Sequence, residues 1–175
     1  MRELIEKMEE KSSGHWFEKG LKDGSIKVKN AKYEIVDGRA LIWKSGTWLK
    51  GTWVDGAWHG GTWKDGTWMA GMWRNGTWEK GTWKSGSWHG GIWKGGTWAK
   101  GFWKDGVWEN GTAKNIVWEG GTWKNGTLYY GLWLNGTWEN GTWKDGQWIN
   151  GNWKGGTWKK GDWQGSEKGK PKNAR

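Results

Sequence analysis

The stretch Gly61-Thr62-Trp63-Lys64-Asp65-Gly66-Thr67-Trp68-Met69-Ala70-Gly71-Met72-Trp73 states the rule that governs most of this chain: a five-residue unit, Gly-Thr-Trp-x-x. Every fifth residue from Trp43 to Trp163 is tryptophan except Ala113 and Leu128, and a glycine stands two residues before nearly every one. Self-similarity at a fixed short period signals a repeat architecture and takes precedence over globular analogies. The array spans residues 41–165 of a 175-residue chain, which leaves room for one domain.

Composition says what must hold such a chain together. It has 34 glycines, 24 tryptophans and little Leu, Ile, Val or Phe, so nearly all burial falls to indole. At about 1.5–3 kcal/mol for each buried aromatic side chain, the array can offset the backbone entropy that so many glycines lose on ordering. A flexible glycine-rich linker lacks that driving force. Cysteine is absent, which excludes disulfides and thiolate chemistry. No apolar run approaches membrane-spanning length, and Met1-Arg2-Glu3-Leu4-Ile5-Glu6 is too charged for a secretory signal. A cytoplasmic location is therefore expected.

Three segments are expected. Residues 1–40 read as an N-terminal cap, with a short helix over residues 2–11 that places Leu4, Ile5 and Met8 on one side. A β-hairpin then turns at Val36-Asp37-Gly38-Arg39. Residues 41–165 are the repeat array. Residues 166–175, polar and basic, read as a disordered tail.

A second period of ten residues overlies the first. In alternate units the residue after the tryptophan is basic: Lys44, Lys64, Arg74, Lys84, Lys94, Lys104, Lys114, Lys124, Lys144 and Lys154. In the intervening units it is mostly Glu, His or apolar. This alternation, with the recurring Asp-Gly and Asn-Gly pairs, predicts an all-β repeat protein. It would be an antiparallel meander of very short strands in ten-residue hairpin units with type I′ turns. Strand alternation puts every tryptophan on one face. Twenty-five strands would make a flat ribbon on the order of 120 Å wide, so the sheet is expected to coil with its tryptophans inside. Packing two such faces as a homodimer is the other solution. The alternative fold is a four-sided pentapeptide β-solenoid with twenty residues per coil.

Three resemblances bear on this. The unit length is similar to that of the pentapeptide-repeat family, although Gly, Thr and Trp replace that family's usual pattern. Trp63-Lys64-Asp65-Gly66, Trp123-Lys124-Asn125-Gly126 and Trp138-Glu139-Asn140-Gly141 look like the hairpin element of MORN repeats, which serve as scaffolds, but the Tyr-x-Gly half of that unit is missing. The tandem Gly-Thr-Trp-x-x array more closely resembles uncharacterised Trp-rich repeat proteins of bacteriophages and bacteria. That resemblance implies a viral origin, with the host cytoplasm or the virion as location, and no activity.

For function, the ten basic residues would line one edge of the meander and form a track for an anionic ligand such as nucleic acid. The plainer role for the same residues is to keep an edge soluble. Ala113, Ile116, Leu128, Tyr129 and Tyr130 concentrate the departures from the repeat and are the candidate docking site for a host or virion protein. Ile116 and Val117 filling the volume vacated at Ala113 is the structural explanation of the same departures. A third class is glycan binding by exposed tryptophan. His15, His59 and His89 have no metal-ligand spacing. No nucleophile with its base, Walker loop or dinucleotide fingerprint is present, so neither catalysis nor a cofactor is expected.

Overall fold

The computed structural model describes residues 14–175. The helix expected over residues 2–11 lies outside them. Helix α1 (Trp16–Asp23) opens the described chain. It is capped by His15, whose Nδ1 accepts the Phe17 N–H at 3.2 Å, and ends at Gly24 in the left-handed conformation. Strands β1 (Lys27–Val36) and β2 (Ala40–Lys50) pair antiparallel. Asp37 and Gly38 both have positive φ, as a type I′ turn requires.

From β2 onward the chain never reverses again. It winds as an all-β solenoid of about eight turns with tryptophan inside. The pairing is parallel: Trp43 with Trp58, Trp63 with Trp78, Trp68 with Trp83. Each coil is thus fifteen residues, three units to a turn. The antiparallel hairpin ribbon is not formed, and the solenoid has three sides where four were the alternative.

The turn chemistry explains this. A type I′ turn needs positive φ at both central residues, and within the array only the glycines have it: Gly66 at 126°, Gly76 at 122°. Asp65 and Asn75 stay in ordinary backbone space and use their side chains instead. Asp65 Oδ1 accepts the Gly66 N–H at 2.7 Å, and Asn75 Oδ1 that of Gly76 at 2.8 Å. The result is a corner that sends the strand onto the next face.

Three columns of side chains fill the interior. The first face carries Trp43, Trp58, Trp73 and onward to Trp163; the second runs from Trp48 to Trp153; the third from Trp53 to Trp158, with Ala113 and Leu128 as successive rungs. Within a column the indoles stack nearly parallel, as Trp63 on Trp78 at 4.7 Å and 4°. Between columns they meet edge to face, as Trp63 with Trp68 at 6.1 Å and 73°. No array tryptophan is more than 9% exposed.

The indole N–H groups are poorly served. Trp78 Nε1 donates to the Gly95 carbonyl in the next coil at 3.1 Å, but twenty other buried indole nitrogens have no partner. A partnerless buried donor costs about 1–3 kcal/mol. Indole is larger than the Phe-sized side chains for which about 1.5–3 kcal/mol holds, and by area its roughly 150–250 Å² contributes about 4–6 kcal/mol, so burial exceeds that cost.

Both ends are covered. At the start, Phe17 stacks on Trp48 at 5.8 Å, and Trp16 meets Trp53 edge-on at 5.5 Å. At the other end, residues 166–175, expected as a disordered tail, lie over the last coil. The Trp163 N–H donates to the Arg175 carbonyl at 3.1 Å, and Ala174 packs against the core. The physical reason is edge pairing: the final coil presents unpaired backbone groups that the tail can partly satisfy.

Candidate functional site

Outside the tryptophan columns, each face carries a rank formed by the residues that follow the tryptophans, one rung per coil at about 4.8 Å. The fifteen-residue coil deals the ten basic residues onto three faces, not one edge. Lys44, Arg74 and Lys104 fall on the first face, Lys64, Lys94, Lys124 and Lys154 on the second, and Lys84, Lys114 and Lys144 on the third.

The three ranks have different electrostatics. On the second face lysine alternates with glutamate, and ion pairs tie successive coils: Lys64 to Glu79 at 2.6 Å, Lys124 to Glu109 at 3.9 Å, Lys154 to Glu139 at 3.6 Å. On the third face Ala99 and Tyr129 separate Lys84, Lys114 and Lys144, Lys159 follows on the next coil, and the Lys144 ammonium sits 5.8 Å from the centre of the Tyr129 ring. The first face differs in what separates its cations, which is histidine instead of a carboxylate or an apolar side chain. Its rank reads Lys44, His59, Arg74, His89, Lys104 on five consecutive coils, with no carboxylate among them. Glu119 follows on the next coil, and Glu34 of β1 holds Lys44 at 2.7 Å.

His59 and His89 are the residues that the sequence reading left aside. Two coils apart, they flank Arg74. Burial pushes the His89 imidazole below its ordinary pKa, Lys104 and Arg74 push it further the same way, and Glu119 pulls against them. The signal was available in the spacing: positions 44, 59, 74, 89 and 104 differ by fifteen, which has meaning only once the coil length is known.

The candidate docking residues divide. Ala113, Ile116 and Leu128 are at most 3% exposed and cannot touch a partner. Ile116 turns inward where the other coils, except the first with its buried Leu41, have the corner glycine. A Cβ on Gly131, one coil on, would lie 3.1 Å from the Leu128 δ-carbons and 3.2 Å from Ile116 Cγ2. These aliphatic groups occupy the space of the missing indoles; Val117 remains half-exposed on the outer surface. Three strands run unbroken around this corner, Thr97–Trp103, Thr112–Trp118 and Thr127–Trp133. Outside, Tyr129 and Tyr130 are half exposed; Phe102, two coils away, and Leu134 are exposed as well, and sequence reasoning did not single these two out.

The buried columns leave no array tryptophan available for stacking on a sugar ring, so the premise of the glycan reading is not met. Among the described residues there is no cluster of three metal-ligating side chains, and no helix is long and apolar enough to cross a membrane. In comparisons with protein-family models, curated proteins and solved structures, none matches this chain.

Proposed function

We propose that the chain is a non-enzymatic, rod-shaped scaffold that binds an anionic polymer, with nucleic acid as the leading candidate, along its first face. One observation carries this reading: from Lys44 to Lys104 five consecutive rungs hold only cations and imidazoles, whereas the second-face rank alternates lysine with glutamate and ion-pairs Lys64, Lys124 and Lys154, and the third spaces Lys84, Lys114 and Lys144 with Ala99 and Tyr129. The first-face cations stand two coils apart with no carboxylate between them, and an anion laid along the rank supplies the missing counter-charge. The viral origin suggested by the Gly-Thr-Trp-x-x resemblance, and action in the host cytoplasm, belong to the same proposal.

Titration with labelled single- and double-stranded nucleic acid at two salt concentrations tests it. Replacing Arg74 and Lys104 with Gln is expected to weaken single-strand binding about tenfold and to reduce the salt slope by about 1.4. The control, Lys64→Gln with Lys94→Gln on the second face, should change little. Equal effects of the two double variants, or no binding of the unaltered chain at low salt, would overturn the proposal.

A second reading, docking of a protein, is favoured by the exposed, adjacent Tyr129 and Tyr130 where the repeat is broken. Aromatic anchors of this type give association that is insensitive to salt, so salt-insensitive binding lost on Tyr129→Ser with Tyr130→Ser would select it.

A further inference from the structure

We infer that the first-face rank is a phosphate-binding site that strengthens on acidification, because His59 and His89 complete it. This rests on the polyanion reading. Lys44 is engaged by Glu34, so at neutral pH the rank offers Arg74 and Lys104, two coils or about 9.6 Å apart. His89 lies between them and His59 lies on the open side of Arg74. Protonating both imidazoles turns two separated cations into four on consecutive rungs, a cationic strip about 14 Å long.

The surroundings favour this switch. On the same face the rank of residues preceding the tryptophans is uncharged beside it: Ala57, Met72, Ser87 and Phe102. At the following corner stand Gly60, Asn75, Gly90 and Asp105, and Asp105 Oδ1 is occupied by the Gly106 N–H at 2.7 Å. At the preceding corner stand Asp55, Ala70, Ser85 and Lys100, and Asp55 Oδ1 accepts the Gly56 N–H at 2.8 Å. The charged groups along the rank are Lys44, Arg74 and Lys104, with Glu119 beyond. His89 Nε2 lies 3.3 Å from Ser87 Oγ, and the carboxylate that acts on the ring is Glu119 on the coil beyond Lys104.

Partial burial lowers the His89 pKa most, and the repulsion of Lys104 and Arg74 lowers it further. A phosphate bridging Arg74 and Lys104 cancels that repulsion and supplies a negative partner, so binding draws a proton onto the ring. Ligand and proton therefore promote each other's binding. The second-face rank has no such property, because the residues between its lysines are carboxylates that lose charge only at much lower pH.

The test uses the full chain and a labelled single-stranded oligothymidylate at about pH 7.5 and about pH 5.5, either side of the imidazole range. The unaltered protein is expected to bind at least about tenfold more tightly at the lower pH, with the salt slope growing from about −1.4 to about −2.8 as two more phosphates are neutralised. His59→Gln with His89→Gln should match it at the higher pH and lose the gain at the lower. Calorimetry near pH 6.5 in buffers of different ionisation enthalpy should show net proton uptake. A pH response that persists in the double variant, or zero proton uptake, would overturn the inference and leave the polyanion reading standing. Absence of binding at both pH values in low salt would overturn that reading itself.

Discussion

At the scale of single residues, stability rests on two side-chain choices with opposite demands. Trp78 lies between Trp63 and Trp93 in its column, stacked at 4.7 and 4.8 Å. Trp78→Ala should cost about 3–5 kcal/mol in denaturant unfolding, because rigid indoles on either side cannot collapse into the void. Glycine is required where φ is positive and coils approach. A Cβ on Gly66, at φ 126°, would run into the Gly51 carbonyl of the coil beneath, so Gly66→Ala should cost at least about 1–3 kcal/mol. Gly95 is the contrast: its φ is not in that region, and a Cβ would stand 3.7 Å from the Glu79 carbonyl. Gly95→Ala should fall within about 0.5 kcal/mol of the unaltered protein. His89 makes a pH prediction of definite sign. Its folded-state pKa is depressed, so the unfolded chain binds the proton more readily, and its contribution to stability is lost as pH falls below the unfolded value of about 6.5. Without ligand, His89→Gln should flatten the acid side of a melting-temperature profile; an unchanged profile would count against the assignment.

At the scale of elements, the corner formed by Thr97–Trp103, Thr112–Trp118 and Thr127–Trp133 shows how the array absorbs a missing indole. Ala113 and Leu128 are paired rungs of one column, and Ile116 fills inward beside them. Ala113→Trp alone should overpack and destabilise by about 1–3 kcal/mol. Adding Ile116→Gly restores the repeat rule and should recover most of that loss, giving a coupling of about 1 kcal/mol or more in a double-mutant cycle. Additive effects would show that Ile116 does not occupy the vacated space. The same geometry explains why only part of the docking site was legible. That these positions were irregular could be read from the sequence, but which side chains turned inward depended on the coil above and the coil below.

At the scale of the molecule, parallel winding shortens the flat ribbon of about 120 Å to a rod of about 40 Å, eight coils at about 4.8 Å each. Each coil contacts only its neighbours, so the ends carry a burden the middle does not. Helix α1 and β1 cover one end, and residues 166–175 lie over the other. Truncation after Gly165 should uncover the backbone edge of the last coil, whose tryptophans are already the most exposed of the array, Trp153 at 9% and Trp163 at 8%. Faster hydrogen exchange in residues 151–165 and concentration-dependent association in light scattering are expected. Unchanged exchange there would mean that the tail is not a cap.

The five-residue period by itself determined that the fold is an all-β repeat and that tryptophan lies inside, because nothing else in the composition could drive burial. It also held more than was drawn from it. Residues fifteen apart fall in opposite registers of the ten-residue charge alternation, so an odd number of units per coil sets Lys64 beside Glu79, while an even number would set lysine beside lysine. What only the tertiary structure decided was strand direction and coil length. Asp-Gly and Asn-Gly serve hairpins and solenoid corners alike, and the choice depends on whether the residue before glycine adopts positive φ, which the packing of one coil on the next settles. Coil length in turn dispersed the ten basic residues over three faces and brought His59 and His89 into line with Arg74, a juxtaposition that exists only once fifteen residues make a turn.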